Sequence, residues 1–242
     1  MDLSGFHPTR RVLIRSLLLA AGFAPALLAV VARAGADANA KMPISAGVQE
    51  LSGDVRLNGQ PAKVGDVVNP GDVCMTGGDG SCVIVIGQHV YLLRENSEVE
   101  FYAEDFVQTA EGFISGTVKM AAGAMLGVFG KTETSIVSPM ATIGIRGTAC
   151  YVDVQSTRTY ACVCYGTADL GSTVSGEVLE TVVTKHHDSP RYIYAPDGKH
   201  AQGRIEQAKV LDHTDAELRM LEALVNRRPP FDEPGAASYS GA

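Results

Sequence analysis

Positive charge is scarce in this chain. Its 242 residues hold 20 Lys and Arg against 27 Asp and Glu, a formal charge of -7. Residues 1–40 contribute four arginines and two aspartates, so the remainder stands at -9. An acidic body lacks the positive footprint that nucleic acid or an anionic lipid surface demands. Past residue 32 there is no second apolar run of membrane length. No serine sits in a Gly-x-Ser-x-Gly elbow, and no Ser-His-Asp or Cys-His arrangement can be argued. Glu98 and Glu100 share one strand face, which exposed acids explain. These absences argue against an enzyme. Tryptophan is missing altogether.

Glycine and apolar residues are what the chain does have. Hydrophobic residues make up 45%, enough for one domain with a true core or one domain with appendages. The 26 glycines favour turns, and hence strands, over helices. Residues 1–40 read as an export signal. Thr9-Arg10-Arg11 followed by Val12-Leu13-Ile14-Arg15 resembles the twin-arginine consensus, and the apolar run Ser16–Ala32 follows. Ala38-Asn39-Ala40 offers the small residues a signal peptidase reads, with cleavage expected before Lys41. The alternative is an uncleaved anchor. Either way the expected location is the periplasm of a bacterium, or otherwise outside the cytoplasm.

From 41 to about 200 the rhythm is all-β. Val48–Leu57 ends at the turn pair Asn58-Gly59. Val73–Thr76 and Ser81–Ile86 flank Gly77–Gly80 as a hairpin would. His89–Leu93, Ser97–Tyr102, Ala110–Met120, Thr132–Val137, Val174–Thr184 and Tyr192–Ala195 are further strand candidates. Met120 and Met125 read as core packing. Residues 201–228 form a helical segment: Thr214 and Glu217 have capping-box spacing, and Leu218, Leu221, Leu224 and Val225 share a face. Pro229-Pro230 stop the helix, and 229–242 is expected to be disordered. The fold class is therefore a twisted roll or sandwich of short antiparallel strands with a C-terminal helix.

The stretch Ser138–Val154 is central. Ala141, Ile143 and Ile145 alternate with Thr142 and Gly144, and Cys150, Val152 and Val154 alternate with Tyr151 and Asp153. Two short strands joined at Arg146-Gly147 are expected, with Arg146 either at a surface bend or with its guanidinium tying a mostly buried bend to an acid such as Glu98 or Asp153. Pro139, Ala141, Thr142, Arg146, Gly147 and Thr148 resemble the signature of FecR-domain proteins. Upstream pieces extend the resemblance over about Gly47 to Leu170: Gly53-Asp54-Val55, Gly59-Gln60-Pro61-Ala62, Val64-Gly65-Asp66, Pro70-Gly71-Asp72, Thr76-Gly77 and Asn96-Ser97-Glu98. The resemblance implies a periplasmic all-β module that engages an envelope protein or surface ligand, in signalling or scaffolding. The cytoplasmic sigma-binding segment and central membrane span of full-length sensors are not expected in the mature form.

Five cysteines remain to be placed. In an oxidising compartment, symmetry about Thr157 pairs Cys150 with Cys164, and symmetry about Gly78 pairs Cys74 with Cys82. All five as small buried residues is a second reading. A third puts Cys150, Cys162 and Cys164 on one face as a zinc or copper ligand set, which would make the protein a metal or redox carrier, although no fourth ligand is evident. His186-His187-Asp188 with His200 and His213 could form a surface metal patch, but they read rather as solvated loop residues, because neighbours on a strand point to opposite faces. No resident cofactor is expected.

Overall fold

Turn chemistry divides the chain as the glycines suggest, and the strands it frees join one sheet. The computed structural model describes residues 46–108 and 114–232. The expected export signal and the tail beyond Asp232 lie outside the described residues. The strands are β1 (Gly47–Ser52), β2 (Val55–Leu57), β3 (Gln60–Pro61), β4 (Val73–Thr76), β5 (Ser81–Ile86), β6 (His89–Leu93) and β7 (Glu98–Gln108). They continue with β8 (Ile114–Val128), β9 (Glu133–Val137), β10 (Ala141–Val154), β11 (Thr159–Ser172), β12 (Val178–Thr184), β13 (Arg191–Tyr194) and β14 (Arg204–Gln207). Among the described residues, one helix, α1 (Asp215–Leu224), and a 3-10 turn at Pro230–Asp232 follow. The all-β class with a C-terminal helix is therefore correct. Every ladder is antiparallel except β8 with β9. Among the described residues no helix is long and apolar enough to cross a membrane.

Asn58 and Gly59 both take positive φ, 52° and 76°, and close the β2–β3 hairpin. The other early expectation fails. β4 and β5 do not pair: β4 lies between β2 and β7, and β5 between β1 and β6. The Gly77–Gly80 loop carries the chain from one ladder to another rather than closing a hairpin.

The sheet is buried on both faces over much of its area. Cys82, Ile84 and Ile86 of β5 and Tyr91 and Leu93 of β6 belong to a first core, with Phe101, Met120, Met125, Ile136 and Ile143. Val83, Val85, Val90 and Leu92, the intervening residues, belong to a second core with Leu126, Tyr160 and Cys162. Two-sided burial explains why β5 and β6 read as nearly unbroken apolar runs. The helix covers part of the second face, burying Leu218, Leu221 and Val225. Each such side chain contributes roughly 1.5–3 kcal/mol. Thr214 caps the helix as its spacing suggests: it accepts from the Glu217 amide at 3.3 Å, and Glu217 accepts from the Thr214 amide at 2.8 Å.

β10 is the hub. Its first half pairs with β9 and its second half with β8, while β11 runs along its other edge. The changeover falls at Arg146–Ala149, where the β10–β11 register also shifts. Gly147 has φ 58°, and a side chain at Gly166 (φ 91°) would meet Thr148 at 2.8 Å. The signature is thus a bulge inside one 14-residue strand, where two separate strands were expected.

Candidate metal centre

The β10–β11 hairpin places the cysteines. Its loop is the four residues 155–158, with Val154 opposite Thr159. Cys150 therefore lies opposite Val163, and Cys162 opposite Tyr151. This is one residue off the symmetric register expected from sequence, and such a slip reverses the faces. Cys150 and Val163 point into the first core, whereas Cys162 and Cys164 point into the second. The three thiols do not share a face, so the Cys150, Cys162 and Cys164 ligand set is corrected. The Cys150–Cys164 bridge fails for the same reason, since no disulfide spans opposite faces of a sheet. All five cysteines are buried free thiols. Cys74 and Cys82, from unpaired strands, do meet as hydrogen-bond partners, and that bond with burial pushes the Cys82 thiol up.

What joins Cys162 and Cys164 is a pair of histidines. The ligand atoms of Cys162, Cys164, His187 and His213 all lie within 4.8 Å of one another, and all four residues are buried. His187 Nδ1 is 2.9 Å from His213 Nε2 and 3.7 Å from Cys162 Sγ. Three separate elements supply these groups. β11 presents both thiols on one face, two residues apart. His187 sits in the turn after β12 with φ 51°, and its amide donates to the Cys164 carbonyl at 2.9 Å. His213 lies just before the helix cap, with its ring stacked on Tyr151 at 4.8 Å. The expectation of solvated histidines is overturned at these two positions, each 8% exposed.

The outer nitrogens of both rings are already engaged. His213 Nδ1 donates to the Leu211 carbonyl at 2.6 Å, which turns an Nε2 lone pair inward. His187 Nε2 faces Asp215 Oδ1 at 3.1 Å, which turns Nδ1 inward. Two inward nitrogens 2.9 Å apart need a proton or a cation between them. Carboxylate and carbonyl acceptors behind the rings are the usual outer support of metal-binding imidazoles. His186 also reaches Asp215 Oδ1, at 2.8 Å, so the two adjacent histidines converge on one acid. The opposite-faces argument does not hold there because the backbone turns.

The electrostatics agree with a ligand set. The hydrogen bond from Cys164 holds the Cys162 thiol down at about 3; burial opposes this, and His187 and His213 reinforce it. Burial raises the Cys164 thiol, and Cys162 adds to the effect. Burial alone would depress His187, but hydrogen bonds to Asp215 and Cys162 outweigh it and raise the ring to about 9.

The FecR-like signature lies elsewhere. Ala141 and Thr148 are buried at 0% exposure, and the Thr142 hydroxyl meets that of Thr173 at 3.2 Å. Pro139 is exposed. Arg146 is not buried: its side chain is 66% exposed and pairs with Asp169 at 3.5 Å, not with Glu98 or Asp153. It borders an open depression of about 320 Å³ with Glu133, Thr134 and Asp169.

No family model matches the chain, and no curated protein does. Two crystal structures of a putative anti-sigma factor from Parabacteroides distasonis ATCC 8503 are similar to it. Each matches at 10% identity with a TM-score of 0.42, over 56% of this chain and 57% of that one. The chain thus spans little more than half the length of those relatives. No functional argument follows from a likeness this distant.

Proposed function

We propose that the protein is an exported, non-enzymatic, FecR-like β module whose working centre is a Cys2His2 site for a zinc-class divalent ion. The observation that carries the reading is the convergence of Cys162, Cys164, His187 and His213 with both outer ring nitrogens already tied. Two thiolates and two imidazoles suit tetrahedral zinc. Charge favours the divalent ion as well. Two thiolates neutralise it, whereas a monovalent ion would leave a buried net negative charge. Metal analysis of the purified protein, with cobalt(II) as a spectroscopic stand-in, tests this. One equivalent of ion and a thiolate-to-cobalt band that Cys162→Ser removes are expected. A protein that takes up neither ion refutes it.

A second activity, engagement of an envelope protein, is supported by the exposure of Arg146 at the rim of a polar depression. Arg146→Ala should then fold normally and fail to recover the partner that the wild type retains from periplasm. Equal recovery by both would refute that role.

A further inference from the structure

We propose that the ion is a clasp, and that its binding and the docking of the C-terminal segment 209–232 form one equilibrium. This rests on the metal reading above and adds what the ion controls.

The ligands come from three parts of the chain, and only the His187 turn is joined to β11 by a backbone hydrogen bond, from its amide to the Cys164 carbonyl. Cys162 and Cys164 belong to β11, which is fixed on both edges. His187 belongs to a turn, and His213 belongs to the segment that leads into α1. Around His213 the segment is tied to the body by three polar contacts: Tyr160 Oη donates to the Lys209 carbonyl at 2.9 Å and accepts from the Leu211 amide at 3.1 Å, and Arg94 Nη2 donates to the Asp212 carbonyl at 3.1 Å. An ion bound to both His213 and β11 would join segment to sheet directly. It would also reach the helix by a second route. Asp215 is the first residue of α1, and it accepts from the outer nitrogen of His187. An ion on the inner nitrogen makes that outer N–H a stronger donor.

The centre is also closed. Cys162 and Cys164 are 0% exposed, Tyr151 covers His213, and Phe231 of the 3-10 turn stacks on His186 at 4.2 Å. A site closed on all sides holds a resident ion. Entry or release requires segment 209–232 to lift, so the ion cannot leave while the segment stays docked. The segment's seat permits lifting. The helix turns Glu217 and Glu222 toward the sheet, where Arg94 and Tyr165 receive them, while Arg227 of the same segment also pairs with Glu222. An interface that includes ionised groups re-solvates at less cost than an all-apolar one of the same area.

Hydrogen exchange on the purified protein tests the clasp, comparing chelator-stripped and zinc(II)-loaded samples. With zinc at 100 times its Kd, exchange across 209–232 should slow about 100-fold, because only the docked form binds the ion. Exchange across Gly47–Thr76 should stay unchanged. Zinc loss to a strong chelator should proceed at a rate independent of chelator concentration, set by lifting. His213→Ala should abolish the zinc effect, and His200→Ala, an exposed residue paired with Asp197, should leave it intact. One bound zinc with unaltered exchange across 209–232 would overturn the clasp and leave the metal centre standing. Absence of zinc binding would overturn both. The wild-type comparison decides the matter even if His213→Ala does not fold.

Discussion

Glu222→Ala is the sharpest probe of how the helix is seated. Glu222 is 3% exposed on the sheet-facing side of α1. Its carboxylate accepts from the Tyr165 hydroxyl and from Arg227 Nε, and Arg227 Nη1 also donates to the Gln88 carbonyl at 2.7 Å. Truncation leaves the buried Tyr165 hydroxyl without its acceptor, a cost of about 1–3 kcal/mol. Arg227 loses its carboxylate too, but its side chain is 27% exposed and keeps Gln88. Water can replace part of the loss, so the pair falls short of the roughly 3–5 kcal/mol of a fully buried broken pair. The total should be about 2–4 kcal/mol. Glu222→Gln retains a carbonyl for Tyr165 and should cost about 1 kcal/mol. Urea unfolding of the wild type and both variants, closed into a double-mutant cycle with Tyr165→Phe, measures these values. A Glu222→Ala variant within about 0.5 kcal/mol of wild type would refute the reasoning, because that is the range of a surface substitution. So would a Glu222→Gln variant as unstable as the Ala one.

Arg146→Ala should cost about 1 kcal/mol or less, since its ion pair is exposed, whereas Gly147→Val should cost about 1–3 kcal/mol for its positive φ; equal melting temperatures for the two variants would contradict this. Mild oxidation should join Cys74 to Cys82 and leave Cys150 and Cys164 unlinked, as mass mapping of alkylated protein would reveal; a Cys150–Cys164 bridge would show the register to be wrong. Burial holds the phenols of Tyr91, Tyr151, Tyr160 and Tyr165 protonated well above their usual range. The unfolded chain releases those protons from about pH 10, so this contribution to stability is complete below that pH and is lost as pH rises beyond it. In an alkaline titration their ionisation should coincide with loss of circular dichroism, and reversible ionisation near pH 10 with the fold intact would refute it.

Local chemistry made much of the fold legible. The Asn58-Gly59 turn and the Thr214–Glu217 cap each depend on residues within reach of one another in sequence. Pairing between distant strands does not. Nothing near Gly77–Gly80 says that β4 seeks β7 while β5 seeks β1 and β6, because that choice is made by burial on both faces. The metal centre was hidden by a similar limit. Its ligands are far apart, His187 25 residues from Cys162 and His213 26 beyond, so no compact motif marks them. The usable signal was parity. An even hairpin loop separates Cys150 from the other two thiols and leaves Cys162 and Cys164 as a pair in need of partners. His213, immediately before the helix cap, was one visible candidate, and His187 another. Arg146 was misplaced because a polar residue between apolar runs suggests a buried junction, when at a bulge it can point to solvent.

The alternation along β11 works as a reading frame of two. Tyr160 to Cys164 send their side chains to the two cores in turn, and the centre exists only in one phase. A single residue inserted between Thr159 and Cys162 would deliver both thiols to the wrong core and erase the site, with the composition of the strand almost unchanged. The loop at 155–158 carries no such phase. Natural variants of this chain should therefore differ in length at that loop by any number of residues, but within the strand ahead of Cys162 only by twos.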